Sequence, residues 1–220
     1  ATAQVSLSDR SKSKRRLSDG ARKELPMSRI DRKDQIIAAA LELFRSKGFA
    51  DVSTRDLAEH AGLSRSHVYH YFSDWKELRR EAFVRFANEQ LDEVRGPLAD
   101  APPLEALVGF LKGCLPCTAD AGWALWLDAW DEAMHDAELA QAYLLVNAQW
   151  QAMLADVIEQ GIAAGVFRCG SSSRAARQIF AVTMGYTDDL LLKPSVESAQ
   201  VVLGEVMEVA GLLLDLPRDR

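Results

Sequence analysis

The stretch from Val52 to Phe72, VSTRDLAEHAGLSRSHVYHYF, constrains the fold more than any other part of the chain. Its apolar side chains form one compact set: Leu57, Ala58, Ala61, Leu63 and Val68. Nearly all of the residues around that set carry hydrogen-bond donors. The spacing predicts two short helices joined by a tight turn, and helices this short are stable only when a scaffold holds them. A donor-rich second helix is typical of a helix-turn-helix that lies on DNA.

Side chains at the ends of the two short helices predict where each one begins and ends. Ser53 is placed to cap the first helix, and Asp56 three residues later is compatible with a capping box. Gly62 stands where a helix commonly ends in the left-handed conformation, which glycine adopts without a steric penalty. Ser64 then predicts a second helix over about residues 65–71.

Longer helices on both sides of this stretch are predicted to form its scaffold. The upstream helix has apolar residues at helical spacing and ends at Lys47-Gly48-Phe49: Ile36, Ile37, Ala40, Leu41 and Phe44. The downstream helix is capped by Ser73-Asp74 and has its own apolar stripe: Leu78, Ala82, Phe83 and Phe86. Helices around a shared core, with the middle pair contacting DNA, are a known DNA-binding arrangement. The alternative is a helical bundle that binds no nucleic acid.

The polar side chains of the stretch and of the next helix are the candidate contacts to double-stranded DNA. Those predicted to position the protein on the DNA backbone are Thr54, Arg55, Ser64, Ser66, Tyr69 and Lys76. Those predicted to reach base edges are Arg65, His67 and His70. Arginine to guanine is the commonest specific base contact.

The net charge of −6 hides a difference between the two halves of the chain. Residues 1–95 carry 19 Lys and Arg against 15 Asp and Glu, a net charge of +4, whereas residues 96–220 carry 7 against 17, a net charge of −10. Phosphate binding needs only a locally positive face, so the split is compatible with DNA binding by the first half. Residues 1–30 are basic and poor in apolar residues, which predicts a flexible arm. This arm has two interpretations: it adds phosphate or minor-groove contacts beside the helix-turn-helix, or it is a solvated tail.

Composition favours a folded cytoplasmic protein. The hydrophobic fraction is 48%, and no window approaches the roughly 18 uninterrupted apolar residues of a membrane span. The N-terminus is polar and basic, unlike a secretory signal. Three cysteines, an odd number, argue against a disulfide framework. The sequence has no phosphate-binding glycine loop and no HExxH motif, so we expect no enzyme activity, no cofactor and no bound metal.

The chain after Arg95 is helical throughout by its pattern, which makes the predicted fold class all-α. Its last two helices, within residues 174–216, are apolar on most sides and must be buried on most sides. A two-fold interface between two copies would bury them, and paired DNA-binding helices would match paired half-sites. The alternative is that they form the core of a monomer.

A small-molecule cavity is predicted in this second half. Trp123, Trp126 and Trp130 share one helical face, and Asn147 and Trp150 lie on the next helix. Aromatic and methionine side chains with a few polar groups suit a ligand site. The full predicted set is Phe110, Cys114, Trp123, Trp126, Trp130, Met134, Asn147, Trp150, Met184 and Asp188. An apolar or aromatic effector is favoured, and a cation held by aromatic faces is possible. The alternative is ordinary core packing.

Cys114-Leu115-Pro116-Cys117 offers a different function, since a CxxC pair can be a redox couple or half of a metal site. A second CxxC is absent, and the surroundings lack the alternating strands and helices of a thioredoxin-like enzyme. The alternative to a DNA-binding regulator is therefore a redox- or metal-sensing regulator that uses Cys114 and Cys117.

Residues 34–86 resemble the TetR family of bacterial transcriptional regulators. The resemblance rests on Leu41-Phe44, Gly48-Phe49, Thr54-Arg55-Asp56-Leu57-Ala58, Ala61-Gly62-Leu63-Ser64, Val68-Tyr69-His70-Tyr71-Phe72 and Glu77-Leu78. Residues 123–167 resemble the effector domain of the choline-responsive repressor type that controls betaine synthesis, although Met184-Gly185-Tyr186 stands where Asp-Gly-Leu is common. With the basic flexible arm over residues 1–30 that the composition predicts, the resemblance implies a helix-turn-helix domain over 31–78 and an effector-binding and dimerisation domain over 79–220. It also implies a homodimeric repressor that leaves a palindromic operator when its ligand binds.

Overall fold

The computed structural model describes residues 29–216, and its regular elements in that range are all helices, in agreement with the predicted all-α class. In chain order they are α1 (Arg29–Lys47), α2 (Thr54–His60), α3 (Arg65–Tyr71), α4 (Trp75–Leu98), α5 (Pro103–Gly113), α6 (Ala121–Ala133), α7 (Ala137–Ala163), α8 (Ser172–Leu192) and α9 (Val196–Leu213). The predicted basic arm lies outside the described residues, except that α1 already begins at Arg29. No described helix is both long enough and apolar enough to cross a membrane.

The caps predicted for the short helices are confirmed. The Ser53 side chain accepts a hydrogen bond from the Asp56 amide over 3.2 Å, and Asp56 Oδ2 accepts one from the Ser53 amide over 2.9 Å. Ser64 Oγ caps α3 by accepting from the His67 amide over 3.1 Å. Between the two helices, Gly62 has a φ of +65°, the left-handed conformation that ends α2. These local bonds satisfy backbone amides that a short helix would otherwise leave unpaired.

The helix-turn-helix rests on one buried cluster that α1 and α4 share with it. Leu57 of α2, Val68 of α3 and Leu78 of α4 are fully buried, together with Phe49 after α1. Phe49 packs its ring against Phe44, with the centroids 4.8 Å apart. The short helices are therefore stabilised by tertiary packing rather than by their own propensity.

The long helix α4 joins the two halves of the chain. Its first turns pack on α1, and further along it contacts α5 and α7. Its buried side chains include Phe83 and Phe86. The predicted domain boundary between residues 78 and 79 falls inside α4, so the backbone passes from one half to the other without a break in helical hydrogen bonding.

The second half is built around α7, which contacts α4, α5, α6 and α8. Gly161 of α7 lies against the ring of Phe167, because a Cβ built on this glycine would lie only 1.9 Å from that ring.

The last two helices pack on each other but keep apolar side chains in solvent. Val201 and Leu212 of α9 are 64% and 63% exposed, so one chain alone does not bury the apolar faces that the sequence shows.

Candidate DNA-binding surface and effector cavity

The α3 helix carries five of the nine side chains that the sequence predicts to contact DNA, and all five are exposed. Its side chains Arg65, Ser66, His67, Tyr69 and His70 are exposed. The core side of α3 is held by Val68, which is 1% exposed. The helix is thus fixed from one side and presents hydrogen-bond donors on the rest of its surface, as a helix that enters the major groove requires.

Hydrogen bonds within and between α2 and α3 set the orientation of several candidates. The Thr54 and Tyr69 hydroxyls lie 3.1 Å apart, which links the first turn of α2 to α3. Arg55 pairs with Glu59 on the same helix over 2.9 Å, with both side chains largely exposed. An exposed pair of this kind contributes little to stability, so the guanidinium can exchange Glu59 for a phosphate at small cost.

Ser64 and Lys76 are also bonded within the protein. Ser64 Oγ already caps α3, so its hydroxyl has a structural role. Lys76, in the first turn of α4, lies 3.3 Å from Asp136 in the loop between α6 and α7. Asp136 in turn caps α7 through the Leu139 amide, and this hydrogen bond is the main reason why its pKa is lowered. Lys76 therefore pairs with the second half of the protein, although its side chain is 62% exposed.

An open cavity of about 410 Å³ lies between α4, α5, α6, α7 and α8. Its volume suits a small organic molecule. Its wall consists of Gln90, Gly113, Cys114, Trp123, Trp126, Leu127, Trp130, Tyr143, Asn147, Trp150, Phe180, Met184, Thr187 and Leu191. None of these side chains carries a formal charge at neutral pH, so the described wall is aromatic, aliphatic and neutral polar.

Seven of the ten predicted ligand residues line this cavity: Cys114, Trp123, Trp126, Trp130, Asn147, Trp150 and Met184. Two others are not part of its wall. Phe110 is fully buried behind it, with its ring centroid 6.0 Å from that of Trp150. Met134 lies past the last turn of α6, where its side chain is 56% exposed. Asp188 belongs to α8, and its side chain lies outside the described part of the chain.

Seven wall residues were absent from the predicted ligand set: Gln90, Gly113, Leu127, Tyr143, Phe180, Thr187 and Leu191. Gln90 lies on α4, far from the aromatic stripe in sequence, and an isolated glutamine carries no recognisable signal. Leu127 lies four residues after Trp123, so the helical spacing of the stripe could have included it. Thr187 is buried and donates its hydroxyl to the Thr183 carbonyl oxygen over 3.1 Å, a bond within α8 that only the structure shows.

The polar groups of the wall differ in whether they already have a partner. Trp126 donates its indole N–H to Gln90 Oε1 over 2.9 Å. Tyr143 stacks on Phe83 with centroids 5.4 Å apart, and burial raises the pKa of its hydroxyl to about 12. Trp150 Nε1, in contrast, is buried and has no hydrogen-bond partner among the described residues. An unpaired buried donor costs free energy until an acceptor reaches it.

Cys114 and Cys117 are not joined by a disulfide bond. Cys114 is buried, Cys117 is exposed, and both are free thiols. Burial raises the pKa of the Cys114 thiol to about 12, so the nucleophilic thiolate is disfavoured there. Within the described residues no group of three or more His, Cys, Asp or Glu side chains is placed to hold a metal ion.

The two halves each match a family model. Residues 36–82 match bacterial regulatory proteins of the tetR family, and residues 103–210 match the BetI-type transcriptional repressor, C-terminal. Together these matches cover well over half of the 220 residues. The chain belongs to the TetR family. The assignment confirms the family predicted from the sequence, and it supports a DNA-binding transcriptional regulator over both a redox sensor and an enzyme.

Individual TetR-family relatives show how far the likeness extends. The HTH-type transcriptional regulator BetI of Stenotrophomonas maltophilia is 32% identical over 114 residues, which cover 50% of this chain and 58% of that protein. The chain thus matches little more than half the length of that relative. The HTH-type transcriptional repressor KstR2 of Mycolicibacterium smegmatis is 25% identical over 148 residues, which cover 66% of this chain and 72% of the repressor.

Solved structures of transcriptional regulators share the fold. A TetR transcription regulator from Haloarcula marismortui superimposes with a TM-score of 0.73 at 19% identity, covering 84% of this chain and 99% of its own. A transcriptional regulator from Saccharomonospora viridis, solved in complex with choline, superimposes with a TM-score of 0.69 at 23% identity, covering 81% and 95%. At these identities the likeness shows the fold alone.

Proposed function

We propose that this TetR-family protein is a repressor that binds an operator of approximate two-fold symmetry as a homodimer and leaves it when a small molecule fills the α4–α8 cavity. The observation that carries the proposal is that one chain combines an exposed, donor-rich α3 with an open aromatic cavity in its other half. A protein of this kind responds to a ligand only if the ligand has different affinities for the DNA-binding and released states.

For DNA contact we propose the exposed α3 side chains Arg65, His67 and His70 at base edges. Thr54, Arg55, Ser66 and Tyr69 would hold the phosphates on either side. Lys76 joins them only by giving up its bond to Asp136, and Ser64 contributes through the cap that fixes the start of α3. Substituting a base-contacting residue should relax sequence preference, whereas substituting a phosphate contact should weaken binding to all sequences alike.

The proposed dimer interface is formed by α8 and α9, within residues 174–216. Their apolar side chains remain in solvent in a single chain: Leu192 is 87% exposed, and Val201 and Leu212 are more than half exposed. Exposed apolar surface of this extent is typical of an interaction site. A two-fold axis through these helices would bring two copies of α3 to the same side, to meet half-sites about one turn of DNA apart.

The proposed effector is an apolar or aromatic molecule with at least one hydrogen-bonding group. The cavity wall supplies aromatic faces and neutral polar groups, and its described side chains supply no counter-charge. A quaternary ammonium such as choline is the second candidate. It is favoured by the aromatic faces of Trp123, Trp126 and Trp130, by the BetI-type family match, and by the choline complex of the Saccharomonospora viridis regulator.

Selecting DNA from a random pool with the purified protein tests the DNA part of the proposal. We expect the recovered sequences to contain two inverted half-sites. The gel shift should correspond to two protein chains bound per DNA duplex. Arg65→Ala should reduce discrimination among the selected bases, whereas Leu144→Ala, an exposed α7 position away from α3, should not. Recovery of no preferred sequence at low salt would contradict the proposal.

Tryptophan fluorescence titrations separate the two effector classes. Choline and 3,3-dimethylbutan-1-ol have the same shape and differ in charge, so their affinity ratio measures the contribution of the cation. We expect a ratio near one together with tighter binding of aromatic compounds such as acetophenone. A preference for choline of more than about tenfold, or roughly 1.4 kcal/mol, would assign the cavity to the cationic class instead.

A gel shift on the selected operator then tests release. The compound that binds should weaken operator binding, by a factor in the range of about 5 to 150 that is usual for allosteric coupling. A compound that fills the cavity without any effect on operator binding would overturn the ligand-released part of the proposal and leave DNA binding intact.

A further inference from the structure

The backbone of Phe49, in the loop that joins α1 to α2, is held at both of its polar groups by side chains of α4 and α6. Its amide donates to Asp128 Oδ2 of α6 over 2.8 Å. Its carbonyl oxygen accepts from Arg79 Nη2 over 3.2 Å. Loop backbone groups more commonly bond to water or to neighbours in sequence, whereas here the amide partner lies 79 positions away.

Arg79 is itself tied to α6. It forms two hydrogen bonds with the Glu132 carboxylate, Nη1 to Oε1 at 3.0 Å and Nη2 to Oε2 at 2.9 Å. Its guanidinium carbon lies 4.4 Å from the centroid of the Phe49 ring. The Arg79 and Glu132 side chains are 11% and 29% exposed, so this bidentate pair is more shielded from solvent than the other ion pairs of the described residues.

The two carboxylates lie on the side of α6 opposite the cavity. Asp128 and Glu132 are one helical turn apart and therefore share a face. Trp123, Trp126 and Trp130 line the cavity and, at 100° per residue, point the other way. A single helix thus forms the cavity wall with one face and grips the loop before the helix-turn-helix with the other.

We propose that Asp128 and Glu132 are positioning residues that transmit occupancy of the cavity to the DNA-binding domain through the backbone of Phe49. The inference rests on the proposed ligand-released repressor and names the contacts that carry its regulation. A ligand that displaces α6 by about 1 Å would stretch a 2.8–3.2 Å hydrogen bond beyond its useful range. The ring of Phe49 is fully buried against Phe44, so its displacement would move the end of α1 together with the start of α2.

Other contacts between the halves are poorer candidates for this role. Lys76 pairs with Asp136, but the lysine side chain is 62% exposed. Arg80 pairs with Glu138, whose side chain is 73% exposed. Exposed pairs are weak and screened by salt, and they can follow a moving helix without constraining it.

The test measures operator affinity with and without acetophenone, and separately with and without choline, for the full chain and four variants. Asp128→Ala removes the acceptor for the Phe49 amide. Asp128→Asn retains an oxygen that can accept the same bond. Asp131→Ala is the matched control, because Asp131 is an exposed carboxylate on the same helix that makes no described side-chain bond to the first half. Fluorescence titration gives the probe affinity of each variant in parallel.

We expect D128A to bind the probe with wild-type affinity. The factor by which the probe weakens operator binding should fall below about a third of its wild-type value. D128N and D131A should retain that factor. By linkage, the probe affinities of free and operator-bound D128A should also converge. Glu132→Gln, which weakens the ion pair to Arg79, should lower the factor in the same direction.

Two results would overturn the inference, and they are distinguishable. If the wild type responds to a probe and D128A responds equally, or if D131A is as impaired as D128A, the positioning role is wrong while the proposed function stands. If the wild type binds neither probe, or binds one without any change in operator affinity, the ligand-released function itself fails and the inference fails with it. Circular dichroism of each variant confirms that loss of the factor does not reflect unfolding.

Discussion

Trp126 of α6 and Gln90 of α4 meet in a 2.9 Å hydrogen bond at the wall of the cavity, with the indole N–H as donor and the amide oxygen as acceptor. The Trp126 ring is also packed edge-on against Phe83 and Tyr143. The bond thus joins the helix that forms one wall of the cavity to the helix that runs into the DNA-binding half.

Replacing the acceptor should destabilise the protein. Gln90→Met keeps the length of the side chain but leaves the half-buried Trp126 N–H without its partner, which costs about 1–3 kcal/mol of unfolding free energy. Urea unfolding followed by circular dichroism measures the change. Gln90→Glu is the control, because its carboxylate still accepts the bond, and equal loss in Q90M and Q90E would show that the bond is not responsible.

The same control variant predicts a change in ligand class. Gln90→Glu places a negative charge in a wall whose described side chains are all uncharged. A carboxylate beside aromatic faces favours a cation, so Q90E should raise the affinity for choline over 3,3-dimethylbutan-1-ol by about tenfold relative to the wild type. Competition titrations of the two compounds measure the ratio. An unchanged ratio would mean that choline, if it binds, does so away from Gln90.

Stability should fall in acid because helix caps depend on ionised carboxylates. The Ser53 side chain and amide lower the pKa of Asp56, and hydrogen bonds from Ser73 lower that of Glu77. A lowered folded-state pKa gives stability that is complete above the ordinary carboxyl pKa near 4 and is lost as the pH falls through the folded value. Unfolding free energy measured between pH 7 and pH 3 should therefore drop, and Ser53→Ala should make the drop smaller. A pH-independent free energy over this range would contradict the cap assignment.

The sequence predicted well those features that neighbouring residues determine. The start of α3 follows from the cap at Ser64, and the helix, Arg65–Tyr71, agrees with the predicted range of about residues 65–71. The bond between Phe49 and Asp128 joins residues that are far apart in sequence, and no local pattern indicates it. The stripe Trp123, Trp126 and Trp130 indicated a cavity face, but the same spacing carried the prediction on to Met134, where α6 has already ended.

The N-terminal arm should account for much of the salt dependence of DNA binding. Residues 1–28 carry 7 Lys and Arg against 3 Asp and Glu, while residues 29–95 carry 12 against 12, so the excess positive charge of the first half lies before α1. Each phosphate contact contributes about −0.9 to the slope of log affinity against log salt concentration. Replacing Lys12, Lys14, Arg15 and Arg16 by Gln should reduce the steepness of that slope for the selected operator. An unchanged slope would identify the arm as a solvated tail.

The unpaired indole of Trp150 predicts which effectors bind best. Trp150 lines the cavity and is 7% exposed, and its Nε1 has no partner among the described residues. An effector with a hydrogen-bond acceptor can satisfy this donor, although it must displace the packing that covers Nε1, so we expect a gain of only about fivefold, or roughly 1 kcal/mol. Acetophenone and α-methylstyrene test this, because they differ mainly in a carbonyl oxygen against a methylene group. Acetophenone should bind about fivefold more tightly to the wild type and equally to Trp150→Phe, which retains an aromatic ring without the N–H. If W150F keeps the full preference for acetophenone, the acceptor is bound elsewhere in the cavity, with the Asn147 amide as the nearest neutral donor along α7.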